Sequence, residues 1–164
     1  AACAASLRTG ASIASHILSS GTALAVIDAL EGFGCDPHRF IWVHAPYTAF
    51  TEADGMDAIL EAAGRGAYIS DDFIGSNFWA DWLSGHNENS RHIEFIQTLV
   101  DAGYENQIII GSDTGWFDPG NPDFVIEPYD QIMTSFLPDA RAAGFSERLI
   151  YKLLHTNPWN AYSR

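Results

Sequence analysis

Basic residues are scarce in this sequence, and their shortage excludes several classes of partner. Eight Lys and Arg stand against 21 Asp and Glu among 164 residues, which gives a net charge of −13. Because so acidic a surface repels phosphate backbones, we expect no binding to nucleic acid. The apolar runs stay well below the roughly 20 residues of a membrane span, so we expect no membrane contact. No basic segment of a signal peptide precedes the alanine-rich opening, and a cytoplasmic location is favoured.

Cysteines and glycine-rich motifs are also few. Cys3 and Cys35 form no CxxC pair and cannot build a disulfide framework, so both are expected to be free thiols. The chain has no phosphate-binding loop of the GxGxxG or GxxxxGKS/T type, which argues against an open doubly wound nucleotide-binding domain. The overall composition, 47% hydrophobic and 18% charged, is that of a globular protein. A length of 164 residues gives room for one domain.

Short apolar runs alternate with amphipathic stretches along the chain. The apolar runs predict strands over residues 11–16, 40–44, 67–72 and 107–113. The amphipathic stretches predict helices over residues 1–10, 21–33, 52–63, 90–102, 129–143 and 146–155. Ser90 is the predicted N-cap of the fourth helix, Pro138 predicts a kink in the fifth, and the sixth is predicted to stop before Asn157-Pro158. Strands that alternate with helices pair in parallel, so the predicted fold class is α/β with one parallel sheet.

Each predicted strand ends in a residue that can bind a metal or move a proton: His16, His44, Asp72 and Asp113. Because the carboxyl ends of parallel strands meet at one edge of the sheet, these side chains should lie on one rim. Two imidazoles and a carboxylate converging there predict a zinc-type site, and a carboxylate beside the metal could also take the proton of a bound water. The competing interpretation of each residue alone is a hydrogen-bonded histidine or a turn-capping aspartate.

Neighbouring residues are assigned lesser roles. Phe73, Trp116 and Phe117 follow predicted strands and are candidate contacts for a substrate, although they could equally pack the loops down. The remaining histidines are interpreted as incidental: His38, His86, His92 and His155.

The same residues carry a resemblance to a known family. The sequence contains TGxxIxxH, DPxxFxWVH, YISDD and IIIGSD in this order, followed by FLP, AGFSE and LLHTNPWNAY. This order is similar to strands five to eight and the C-terminus of the phosphotriesterase family, within the amidohydrolase superfamily. The resemblance implies the second half of a (β/α)8, or TIM, barrel over residues 1–164. It also implies two divalent metal ions, usually zinc, in the complete protein.

The resemblance further implies a role for each strand-ending residue. His16 and His44 would hold one ion, and Asp113 would bind the other and act as general base. Asp72 would relay protons from a position behind the metal. The implied activity is hydrolysis of esters, lactones or phosphotriesters by a metal-activated hydroxide, with a homodimer as the expected assembly.

The sequence departs from the family pattern in one large respect. The family also uses a His-x-His pair and a bridging carboxylated lysine, whereas the one lysine here is Lys152, in the last predicted helix. A complete barrel takes about 250 residues. We therefore expect the chain to be the C-terminal half of a longer protein and inactive alone. The alternative is a non-catalytic barrel fragment or binding protein with an incomplete metal site.

Overall fold

Four short parallel strands form the centre of the molecule. The computed structural model describes residues 1–76, 88–115 and 118–163. The strands are β1 (Ile13–His16), β2 (Phe40–Val43), β3 (Tyr68–Asp71) and β4 (Ile108–Ile110). They are hydrogen-bonded in sequence order, and each pairs in parallel with the next. The predicted α/β fold with one parallel sheet is therefore confirmed.

One helix precedes the first strand, and the others connect successive strands or follow the last one. They are α1 (Ala2–Thr9), α2 (Ser20–Gly32), α3 (Ala45–Thr51), α4 (Gly55–Gly64), α5 (Asn89–Asp101), α6 (Leu137–Ala142), α7 (Glu147–Tyr151) and α8 (Asn157–Tyr162). The longest of these contain 13 residues, and no helix in the described ranges is long and apolar enough to span a membrane.

Helices α3 and α5 differ from the sequence prediction. Helix α3 was not predicted, because its seven residues are too few to show a helical period; it begins directly after His44, with Pro46 in its first turn. The prediction of Ser90 as an N-cap is wrong. Glu88 precedes the first turn of α5 without a capping side chain, and Asn89 already belongs to the helix. Ser90 therefore lies inside the first turn.

Two prolines sit where the helical turn widens. Pro138 and Pro158 lie in the first turns of α6 and α8, and each is preceded by a π-helical turn, at Ile132–Phe136 and Lys152–Thr156. A proline lacks an N–H group and crowds the carbonyl four residues earlier, which here falls within the wide turn. The irregularity predicted at Pro138 is confirmed. The predicted stop before Pro158 is wrong, because the wide turn lets the chain continue helically to Tyr162.

Both faces of the sheet are buried, which explains the continuous apolar runs of the strands. Phe40 and Trp42 of β2 belong to the main core between the sheet and the outer helices. Ile41 of the same strand belongs to a smaller cluster on the opposite face, together with Ile109 of β4 and Ala161 of α8. Adjacent strand residues thus enter different cores, as the alternation of side chains along a strand requires.

Helix α8 is anchored across the inner face of the sheet by buried polar contacts. The side chain of Asn157 is fully buried, and its Nδ2 donates to the carbonyl oxygens of Glu105 and Ile108, each at 2.8 Å. At the other end of α8, the hydroxyl of Ser12, just before β1, donates to the carbonyl oxygen of Ala161. These contacts tie α8 to the amino-terminal ends of both edge strands, β4 and β1.

Candidate active site at the carboxyl edge of the sheet

A cavity of about 560 Å³ lies at the carboxyl edge of the sheet. All four residues predicted to meet at this rim line it: His16, His44, Asp72 and Asp113. Pro158 and Tyr162 of α8 contribute a further wall. The four strands thus bring together side chains that are separated by up to 97 positions in the sequence, as the parallel topology predicts.

The two histidines of the site lie next to each other. His16 is the last residue of β1, and His44 follows the last residue of the neighbouring β2. Their ring centroids are 4.5 Å apart, with the ring planes 82° to one another. On the far side of His44, the ring of Phe73 stacks at 4.8 Å with nearly parallel planes. His44 is therefore held between an edge contact and a stacking contact.

Asp72 fixes the orientation of His44. The backbone N–H of His44 donates to Oδ2 of Asp72 at 3.1 Å, and the ring Nδ1 lies 3.0 Å from Oδ1. Burial of His44 acts to lower its pKa, but the hydrogen bond to Asp72 and the charges of Asp72 and Asp113 raise the pKa above its ordinary value. Both oxygens of the Asp72 carboxylate are thus committed to one histidine.

We predict that Asp72→Asn lowers the pKa of His44, because the substitution removes the negative charge that favours the protonated ring. Titration of the His44 ring signals by NMR in metal-free protein would measure the change. Since the folded-state pKa is raised, protonation of His44 stabilises the fold below a pH of about 6.5. This contribution is lost as the pH rises through the folded-state pKa. Asp57→Asn, on the exposed face of α4, is the matched control; an unchanged His44 titration in Asp72→Asn would contradict the prediction.

Two of the cavity residues have an unusual backbone. His44 (φ 66°) and Asp113 (φ 46°) are the non-glycine residues with positive φ within the described ranges. Residues other than glycine rarely occupy this left-handed region, and they persist there when the surrounding structure holds them. Asp113 also lies three residues beyond Ile110, the last residue of β4, so the predicted strand is shorter than expected. Both side chains reach the cavity from turns, not from the strands themselves.

The donor atoms suit a divalent ion by type, since imidazole nitrogen and carboxylate oxygen are common zinc ligands. The contact between Nδ1 of His44 and Asp72 is the kind of carboxylate–histidine contact that orients metal-binding histidines. Within the ranges that the structure describes, however, no three His, Cys, Asp or Glu side chains converge closely enough to hold a metal ion. The predicted ligands therefore share a cavity without forming a three-donor site.

His92 forms a buried contact with Asp71. Its Nδ1 lies 2.6 Å from Oδ1 of Asp71, and both side chains are completely buried. The sequence analysis did not predict this contact, and the interpretation of His92 as incidental to the chemistry stays a prediction. A sequence signal was present: His92, Phe95 and Leu99 lie three to four residues apart on the buried face of α5. A histidine within such a stripe must find a buried partner.

The remaining predicted residues divide into two groups. Phe73 is 1% exposed and packs against His44 behind the cavity, and its contact with a substrate stays a prediction. Trp116, Phe117 and His86 lie outside the described residues. His38 pairs with the exposed Asp36, as expected for a histidine in a surface turn.

A parallel sheet whose carboxyl edge carries a cavity lined by two histidines and two aspartates defines an α/β protein, with a candidate site at the edge where such sheets bind ligands. Residues 1–162 match the Phosphotriesterase family, and the chain belongs to this family of the amidohydrolase superfamily. The Phosphotriesterase homology protein of Escherichia coli (strain K12) is 28% identical over 153 residues, which are 92% of this chain and 47% of that protein. The N-acetyltaurine hydrolase of Mus musculus is 26% identical over 84% of this chain and 39% of its own length.

Solved structures share the fold of this chain. The Escherichia coli phosphotriesterase homology protein, complexed with phosphate in its active site, matches 99% of this chain and 51% of that chain, with 24% identity and a TM-score of 0.74. A resiniferatoxin-binding protein from Rhodobacter sphaeroides matches 98% of this chain and 44% of its own, with 25% identity and a TM-score of 0.81. The chain spans about half the length, or less, of the relatives it matches.

Proposed function

We propose that this chain supplies one half of the active site of a metal-dependent hydrolase acting on esters, lactones or phosphotriesters. The observation that carries the proposal is the shared cavity of His16, His44, Asp72 and Asp113. Two of these residues have left-handed backbones, which the fold maintains at a conformational cost of about 1–2 kcal/mol each. Relatives named as hydrolases, such as the mouse N-acetyltaurine hydrolase, support the reaction class.

We also propose that residues 1–164 are strands five to eight of a (β/α)8 barrel. The sequential order of the four parallel strands and the match to about half of each relative support this arrangement. Lys152 does not take the part of a bridging lysine, because its Nζ is bound to Glu105 and Asn106 at 2.6 and 2.7 Å, away from the cavity. Under this proposal the other half supplies the remaining ligands, and the isolated chain is inactive.

The geometry of the rim supports the proposed metal ligands. His16 and His44 would hold one ion, because their rings are adjacent and Asp72 engages Nδ1 of His44, which assigns Nε2 as the ligating nitrogen. Asp113 would contribute to the second ion. When bound, such ions acidify a water molecule and polarise the oxygen of the scissile bond. Zinc suits these donors best, and the number of ions stays a prediction.

The chain's own residues would then orient the reactants and move a proton. Asp113 would accept the proton of the attacking water, while Asp72 keeps the His44 ring in one orientation through its two hydrogen bonds. Tyr162 lines the same cavity, and partial burial together with the charge of Asp72 raises its pKa, although the residue is 59% exposed. A tyrosine phenol is protonated at neutral pH, so it could donate a hydrogen bond to a substrate oxygen.

We favour a neutral carboxylic ester or lactone as the substrate. The net charge of −13 disfavours anionic molecules at the surface. A small molecule of this class is the proposed partner, and the homodimer stays a prediction.

Zinc binding tests the proposed ligands in the chain as it stands. Calorimetric titration should detect zinc binding, and His16→Ala and His44→Ala should each weaken it by at least about tenfold, because each removes one ligand. His38→Ala is the matched control, since His38 lies in the turn before β2, at the opposite end of the strand from His44. Equal affinity of the wild type and both site variants would refute this assignment.

A second candidate is a protein that binds a small molecule without turnover. The similarity to the resiniferatoxin-binding protein of Rhodobacter sphaeroides favours it, with a TM-score of 0.81 over 98% of this chain. A complete barrel, made by joining this chain to the first half of the Escherichia coli relative, separates the two candidates. The hydrolase should turn over an ester or lactone with zinc bound, whereas the binding protein should bind it unchanged.

A further inference from the structure

We propose that His92 is a positioning residue that acts through Asp71 to hold Asp72 against His44. Only the consequence of this positioning for catalysis rests on the proposed function. The arrangement of the four side chains stands on the geometry of the fold alone.

The first observation is that Asp71 and His92 form a pair with no exposure to solvent. Asp71 and His92 are both 0% exposed, and Oδ1 of Asp71 lies 2.6 Å from Nδ1 of His92. Oδ2 of Asp71 is buried and has no hydrogen-bond partner within the described part of the chain. Burial raises the pKa of Asp71, although His92 acts in the opposite direction. Because replacing a buried ion pair by apolar residues is often neutral for stability, the contribution of the pair to placement is the more informative property.

The second observation is the place of Asp71 in the sheet. Asp71 is the last residue of β3, and its carbonyl oxygen accepts the N–H of Gly111 at 2.8 Å. Neighbouring residues of a strand point to opposite faces. Asp71 therefore reaches His92 on the helix side, while Asp72 lines the cavity and bonds to His44. Because the two aspartates share a peptide unit, fixing the side chain of one restricts the other.

Gly111, which follows the neighbouring strand β4, also limits the movement of Asp72. A Cβ atom at Gly111 would lie 3.4 Å from the Cβ of Asp72, so the two backbones approach closely at this point. Gly111 also precedes Asp113 by two residues in the turn after β4. A shift of the β3 end would thus be transmitted to both carboxylates of the cavity.

A second route connects His92 to His44. The ring of His92 packs against Phe50 of α3, with ring centroids 5.7 Å apart and planes 72° to one another. Helix α3 starts immediately after His44. His92 therefore contacts both the strand that precedes Asp72 and the helix that follows His44, which are the two segments that the His44–Asp72 hydrogen bonds join.

Two variants separate positioning from simple packing. The double variant Asp71→Leu/His92→Leu removes both members of the pair and leaves no unpaired buried charge, so its core can remain apolar and filled. His92→Asn places an amide nitrogen near the position of Nδ1 and can keep the hydrogen bond to Asp71. The first variant keeps the position filled and apolar, and the second keeps the hydrogen bond to Asp71.

The measurement is the ring ¹⁵N spectrum of His44 at fixed pH in the metal-free chain, which reports the Nδ1–H bonded to Asp72. We expect this signal to be lost in the double leucine variant and kept in His92→Asn. The His38 ring, paired with Asp36 on the surface, is the internal control. An unchanged His44 spectrum in a folded double variant overturns the proposal. Loss of the signal in a folded His92→Asn also overturns it, and this second result is available even if the double variant does not fold.

The complete barrel gives a kinetic readout. The double variant should lower kcat by about tenfold, as substitutions behind metal ligands do, while KM and the thermal midpoint change little. If the barrel with the wild-type chain hydrolyses no substrate, the proposed function fails, whereas the His44 spectrum still decides whether His92 positions the pair.

Discussion

Asp113→Asn in the complete barrel should lower kcat for ester or lactone hydrolysis by about 10²- to 10⁴-fold, the usual contribution of a general base. Asparagine has nearly the same shape as aspartate and tolerates the left-handed backbone found here (φ 46°). The substitution therefore removes the proton acceptor while the turn can keep its conformation. Steady-state kinetics with a saturating ester or lactone would measure the loss.

The matched control for this prediction is Asp123→Asn. Asp123 is an exposed aspartate in the segment that follows Asp113, and it does not line the cavity. Its substitution changes the net charge by the same amount and should leave kcat within about twofold, the range of ordinary surface substitutions. Near-normal turnover by Asp113→Asn would rule out Asp113 as the base, and the proton would then have to be accepted elsewhere.

Trp42→Ala should lower the free energy of unfolding by about 3–5 kcal/mol. Trp42 is fully buried in β2, and its indole N–H donates to the carbonyl oxygen of Ile17 at 3.0 Å. Ile17 follows His16 directly, so this bond also ties the end of β1 to β2 behind the two histidines. Truncation would leave a cavity in the main core and an unpaired carbonyl beside the site. Urea denaturation followed by circular dichroism would measure the change.

Trp159→Ala provides the comparison for the stability prediction. Trp159 in α8 is 67% exposed, and its truncation should cost within about 0.5 kcal/mol, as for most surface positions. If the two tryptophan variants unfold at the same urea concentration, the packing of Trp42 in the main core does not stabilise the fold as described. A large loss confined to Trp42→Ala would agree with the packing described here.

Much of the site could be predicted from the sequence because it depends on local patterns. An apolar run followed by His or Asp indicates both the strand and the polar residue that leaves it. Parallel pairing then places the four ends on one edge, whatever the details of packing. For this reason His16, His44, Asp72 and Asp113 were correctly predicted to meet, although their roles in binding metal stay predictions.

Other features could not be predicted, because they depend on contacts between distant segments. The partnership of His92 with Asp71 joins α5 to β3, and the period of α5 alone indicates only that His92 is buried. The extension of the last helix past Pro158 depends on a π-helical turn that has no signal in the residues themselves. Helix α3 is too short for its period to be recognised.

The sequence by itself determined the α/β alternation, the parallel sheet and the four polar residues at its rim, since these follow from the order of apolar and polar residues. Only the tertiary structure decided how those residues are held. The left-handed backbones of His44 and Asp113, the double hydrogen bond between His44 and Asp72, and the buried pair behind them all require segments far apart in the chain. Each of these arrangements is unfavourable or indifferent in an isolated peptide, and packing of the whole sheet against its helices makes it stable.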